Sequence, residues 1–104
     1  MSEKEFLLPL DDAEYEWMRV RFSTVGGQVR TFVVQCETIV AGQRVPVVRY
    51  DNAHGFCHRD IFRLNGTATK QLQSGSPAEV LSQGSHDIQE YWQRYRKNFF
   101  GDKT

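Results

Sequence analysis

The 104-residue chain has no excess of charge: 13 basic and 13 acidic side chains give a formal net charge of zero. No overall field therefore draws in nucleic acid, and such binding would need a local patch. Cysteine is scarce. Cys36 and Cys57 are the only two, too few for the disulfide framework of a small secreted domain, so both are expected to stay thiols. No apolar run reaches membrane-spanning length. The patch Phe6-Leu7-Leu8-Pro9-Leu10 follows Glu3 and Glu5 and is too short for a targeting core. These absences point to a cytoplasmic chain with no membrane partner. Internal repeats and low-complexity stretches are also missing.

What is present suits one globular domain. Apolar residues make up 39% and charged residues 25%, and a chain of this length has no room for a second core. Seven Phe, four Tyr and two Trp supply bulky interior material. The chain divides into a flexible N-terminal segment (1–14), a single α+β domain (15–100) and a C-terminal tail (101–104).

Period-two alternation begins at Tyr15 and runs to Phe22, with Met18, Val20 and Phe22 on one face and Tyr15, Trp17, Arg19 and Arg21 on the other. The second face has two readings. It can stack bases and hold phosphates, or it can pack under a helix with its arginines reaching outward. Gly26-Gly27 marks a hairpin, followed by a strand over Val29–Val40 with Phe32, Val34 and Cys36 on one face. Ala41-Gly42-Gln43 turns the chain into a strand over Arg44–Asp51, where Pro46 marks an edge, a bulge or a strand start. His58–Leu64 and Thr67–Leu72 flank the hairpin dipeptide Asn65-Gly66. Connections this short favour antiparallel neighbours. The expectation is an antiparallel β-meander of four to five strands.

The period then changes. Ser76-Pro77-Ala78-Glu79 combines an N-cap, Pro at the first helical position and Glu at the third. Gly84 is expected to interrupt or end this helix, with a restart at Ser85 and His86 and Asp87 near the new start. Ile88, Tyr91, Trp92, Tyr95 and Phe99 recur at spacings of three and four, a helical stripe read as core. Arg94, Arg96 and Lys97 suit the negative end of the helix dipole, and Gly101 closes the helix. The amphipathic helix is expected to cover one face of the sheet.

One stretch concentrates polar chemistry: Arg49-Tyr50-Asp51-Asn52-Ala53-His54-Gly55-Phe56-Cys57-His58-Arg59-Asp60. Three readings stand open. His54 or His58 acts as general acid or base while Arg49 or Arg59 stabilises negative charge, a kit sufficient for metal-independent RNA cleavage. Alternatively Asp51, His54, Cys57 and His58 bind zinc, although their spacing matches no established finger. In the third reading Asp51 and Asn52 form an Asx-type turn, Gly55 supplies backbone freedom, and the histidines and arginines are hydrogen-bonded or solvated. Cys57, beside His54, His58 and Arg59, has surroundings that favour a thiolate.

The run Val47 to Phe56, followed by His58-Arg59-Asp60, resembles the signature of TumE-type toxin components of bacterial toxin–antitoxin systems and closely similar small proteins. The similarity spans Phe32 to Leu64, with an echo in Gln89 to Tyr95. It implies a toxin-like component acting on RNA through Arg49, Tyr50, Asp51, His54 and His58, with an antitoxin protein as partner and no cofactor. An acidic partner would suit Arg19, Arg21, Arg49 and Arg59. Two positions depart from the pattern. Cys57 stands where proline is common, and Asp60 replaces a histidine of some toxin members, which describes an inactive relative if that histidine is needed. The alternative is a non-catalytic interaction module that binds a protein partner or a second copy as a homodimer.

Overall fold

Turn residues set the connectivity. Gly26 and Gly27 both take positive φ (59° and 80°) between the paired residues Val25 and Gln28, the backbone of a two-residue hairpin that matches strand twist. Tight turns of this kind join a computed structural model that describes residues 1–101. Its elements are β1 (Ser2–Pro9), β2 (Trp17–Val25), β3 (Gln28–Val40), β4 (Gln43–Asp51), β5 (His58–Phe62), β6 (Ala68–Leu72) and α1 (Pro77–Phe100). The strands lie in chain order in one six-stranded sheet, every neighbouring pair antiparallel. Among the described residues no helix is long and apolar enough to cross a membrane.

The expected four to five strands are thus six. The extra one is β1, inside the segment read as flexible: Phe6 pairs with Val20 and Leu8 with Met18. Glu3, Lys4 and Glu5 obscured it, because a half-solvated edge strand carries charges that discourage further pairing. Of the expected tail, Gly101 is the helix C-cap in the left-handed conformation (φ 79°), and residues 102–104 lie outside the described region. Pro46 does mark a bulge. The β3–β4 register slips between Cys36 and Glu37, which pair with Val48 and Pro46 and leave Val47 as the extra residue.

The helix packs on the face carrying Met18, Val20, Phe32, Val34, Cys36, Val48 and Tyr50, to which it adds Val80, Ile88 and Phe99. Its start is as read. Ser76 Oγ accepts from the Glu79 N–H at 3.2 Å, and Glu79 Oε1 accepts from the Ser76 N–H at 3.0 Å. Gly84 does not end it. One helix runs through, because a Cβ at Gly84 would lie 2.7 Å from the Tyr50 ring and 3.0 Å from Val34. Glycine here lets the helix approach the sheet. The backbone irregularity falls instead at Tyr91 (φ −122°, ψ 16°), which is exposed, so the stripe is core at Ile88 and Phe99 but not at Tyr91. His86 sits in mid-helix rather than at a restart.

Ser85 Oγ lies 3.9 Å from Met18 Sδ, so the helix covers the Met18–Val20 side and leaves Trp17, Arg19 and Arg21 on the open face. Packing under the helix is excluded for them. Trp17 lies beneath the Arg44 guanidinium at 4.8 Å, while Arg19 pairs with Glu5 and Glu37, each at 2.7 Å. Burial raises the Glu37 carboxyl, but hydrogen bonds from Arg19 and Gln35 outweigh it and hold the group below its ordinary value.

Candidate functional site

Strand alternation divides the polar stretch 49–60 between two faces. Arg49, Asp51, His58 and Asp60 belong to the open face, and Tyr50 and Arg59 to the helix face, as the pairs Arg49–Asp60, Asp51–His58 and Tyr50–Arg59 require. The sequence cluster is therefore two separate structures.

On the open face, the loop between β4 and β5 folds over His58. Asn52 ties it down, its Oδ1 accepting from the Phe32 N–H at 3.0 Å and its Nδ2 donating to the Arg30 carbonyl at 2.8 Å. Asp51 Oδ1 accepts from the Ala53 N–H at 3.2 Å, an Asx turn. His54, exposed, stacks on the His58 ring at 5.9 Å, and Phe56 meets that ring edge-on. His58 itself is 1% exposed. Its Nε2 lies 2.9 Å from Asp51 Oδ1 and its Nδ1 3.5 Å from Asp60 Oδ2, with Lys70 a further 3.9 Å from Asp60. Neither ring nitrogen has hydrogen-bond alignment despite these distances. Arg49 points its Nε to Gln35 at 2.7 Å and lies over Phe62 at 5.2 Å.

The potential metal-ligand group here is Asp51, His58 and Asp60, not the set Asp51, His54, Cys57 and His58 drawn from the sequence. One ligand atom from each of the three lies within 4.8 Å of the others, with Asp51 nearer Nε2 and Asp60 nearer Nδ1. The arrangement packs His58 between the two carboxylates and joins β4, β5 and their loop. Cys57 is a buried free thiol, raised above its ordinary value by burial and by the Asp51 charge. The expected thiolate is thus corrected, and Cys36, pushed up to about 12 by burial, is no nucleophile either.

On the helix face, Tyr50 Oη donates to Asp87 Oδ2 at 2.7 Å, and the Tyr95 hydroxyl donates to the same oxygen. Arg59 Nη1 donates to the Tyr95 hydroxyl at 2.9 Å, and its Nε donates to Gln71 at 3.1 Å. Burial and then Asp87 raise both phenols. This network fastens α1 to β4 and β5, with every group already partnered.

A third cluster has a vacancy in its hydrogen bonding. Glu16, one residue before β2, shares the inward phase of Met18 and is 1% exposed. Its Oε1 accepts from the Thr38 hydroxyl and, at 2.9 Å, from Arg96 Nε. Its Oε2 is buried without a partner. Burial raises this carboxyl above its ordinary value, against the hydrogen bonds from Thr38 and Arg96, which lower it. Asp11 Oδ1 accepts from the N–H groups of Tyr15 and Glu16 at 3.0 and 3.2 Å and shapes the loop that presents them. Glu16 lines a cleft of about 1050 Å³, with Tyr15, Thr38 and Ile39 on one side and Tyr91, Trp92, Arg94, Arg96 and Lys97 on the other. The irregular turn at Tyr91 lies in its wall.

A raised pKa has a measurable consequence. Above pH 4.5, the ordinary value for glutamate, the folded protein holds the Glu16 proton more tightly than the unfolded chain does. Its stability then falls as pH rises through the elevated pKa. Melting temperatures of wild type and Glu16→Gln are expected to diverge across that window, the wild type losing ground as pH rises. A difference that stays flat, or moves the other way, would contradict the burial described.

Fold and site define an α+β domain: a six-stranded antiparallel meander with one helix and a cleft between them, floored by a buried carboxyl. The chain belongs to the family described as a domain of unknown function (DUF7718), whose model matches residues 1–103. No curated protein and no solved structure matches it.

Proposed function

We propose that this domain is a binding module whose cleft, between α1 and the β2–β3 end of the sheet, takes up a ligand anchored on Glu16. One observation carries the reading: Glu16, whose buried carboxyl has one oxygen without a partner, lines a cleft of about 1050 Å³. A buried polar atom without a partner is costly and uncommon. A large cleft with aromatic walls, a few converging polar groups and a perturbed carboxyl has the general make-up of a ligand site.

The chain's two tryptophans offer a direct test, since Trp92 lines the cleft and Trp17 lies on the open face. A screen of small fragments read by the two indole N–H resonances is expected to move Trp92 and leave Trp17 in place. Glu16→Gln, of the same shape, should abolish most of those responses. Movement confined to Trp17, or fragments that act equally on both proteins, would remove the cleft from the account.

A second reading follows the toxin-like resemblance and has one observation in its favour: exposed His54 stacks on a His58 that Asp51 holds. In that reading His54 meets RNA, and Asp51 and His58 position it. Induced expression should arrest growth, and His54→Ala, a surface change, should relieve the arrest at equal protein level. Harmless wild-type expression would end it.

A further inference from the structure

The open-face cluster carries an inference independent of the cleft. His58 and Asp60, two apart on β5, share a face, and Asp51 is the cross-strand partner of His58. All three are buried. Two buried carboxylates call for positive charge beside them. Lys70 offers some, from an exposed side chain 3.9 Å from Asp60.

His58 supplies a second observation. It is 1% exposed, and among the described residues neither ring nitrogen has a hydrogen-bond partner. Yet Asp51 Oδ1 lies 2.9 Å from Nε2 and Asp60 Oδ2 3.5 Å from Nδ1. Side chains that share an ion stand in this relation. With bonds of about 2.0–2.2 Å, neighbouring ligand atoms meet at about 3 Å while each lone pair points past the other to the ion. One ligand atom from each of the three residues lies within 4.8 Å of the others. On one such ion the widest separation is about 4.4 Å, so a small closing movement brings all three to it. We propose that Asp51, His58 and Asp60 bind one divalent transition-metal ion of the zinc class. The imidazole sets that class, because magnesium and calcium take oxygen ligands, whereas zinc and its neighbours accept nitrogen with carboxylate. Nε2, beside Asp51, is the coordinating nitrogen. Asp60 is the least buried of the three, and exposed Lys70 beside it marks the side from which the ion enters. Three protein ligands leave a further position for water.

The test titrates the full chain, stripped with a chelator, with zinc and magnesium ions in calorimetry, and follows the histidine ring nitrogens by NMR. One zinc ion per chain is expected, with a shift of the His58 Nε2 resonance and no response to magnesium. Asp60→Asn should weaken zinc about tenfold or more, since even a residue that only orients a ligand is worth that much. Lys70→Gln, an exposed change that removes a competing cation, should tighten zinc a few-fold. His54→Ala and His86→Ala should change it less than about twofold, because surface histidines are not ligands in this account. Zinc that responds to those two variants and ignores Asp60→Asn and Lys70→Gln is adventitious surface binding, and overturns the proposal. His58 resonances unmoved at saturating zinc overturn it too. Should Asp60→Asn fail to fold, Lys70→Gln decides: tighter binding supports the site, and unchanged binding removes it.

Discussion

Replacing His58 with alanine is expected to cost about 2–5 kcal/mol of stability, the range for truncating a large, fully buried side chain. The imidazole is 1% exposed and stands between Asp51 and Asp60. Without it, two buried carboxylates face each other, with Lys70 3.9 Å from Asp60. The β4–β5 loop also loses the ring on which His54 and Phe56 rest. His54→Ala is the control: its side chain is exposed, and surface changes usually stay within about 0.5 kcal/mol. Urea unfolding of both variants checks the contrast. A His58→Ala loss below about 1 kcal/mol, the upper end for an exposed ion pair, would show that the buried ring is not the support described.

Gly84→Ala is the second large effect, and its direction is the unusual part. In a helix interior alanine normally outranks glycine by about 1 kcal/mol. Here the new methyl would lie 2.7 Å from two Tyr50 ring atoms and 3.0 Å from Val34 Cγ1. The Tyr50 ring cannot yield freely, because its hydroxyl is bonded to Asp87 and the ring is packed in the core. Overpacking of this kind costs about 1–3 kcal/mol, so a net destabilisation is expected, with α1 displaced from β3 and β4. Thermal unfolding that shows Gly84→Ala more stable than wild type would mean that the close helix–sheet contact is not real.

Gly84 also shows where the sequence stopped being legible. Local signals were sufficient for the hairpins at Gly26-Gly27 and Asn65-Gly66 and for the capping box at Ser76 and Glu79, while Pro46 left edge, bulge and strand start open. Each depends on residues within a few positions of one another. A glycine in a helical stretch has two meanings, a break or a close approach, and only the position of Tyr50, 34 residues earlier, decides between them. β1 failed for a related reason, because a charged edge strand becomes visible only through its partner β2.

The polar stretch 49–60 misled in another way. Its residues are contiguous in sequence, but strand alternation sends Arg49, Asp51, His58 and Asp60 to one face and Tyr50 and Arg59 to the other. Period two was the signal that would have separated them. The same signal marked Glu16, a carboxylate in phase with Met18, Val20 and Phe22, and Thr38, in phase with Phe32, Val34 and Cys36. A charged residue on the apolar face of a strand calls for a partner. Arg96, 80 residues away on the helix, is one that no local pattern could name.

The central claim is that Glu16 receives the ligand, and the most direct measurement is a crystal structure of the full chain soaked with the compound that moves Trp92 most. The expected result is density in the cleft beside Glu16 and Trp92, with Trp17 untouched. Density over the His54–His58 loop with an empty cleft would contradict it.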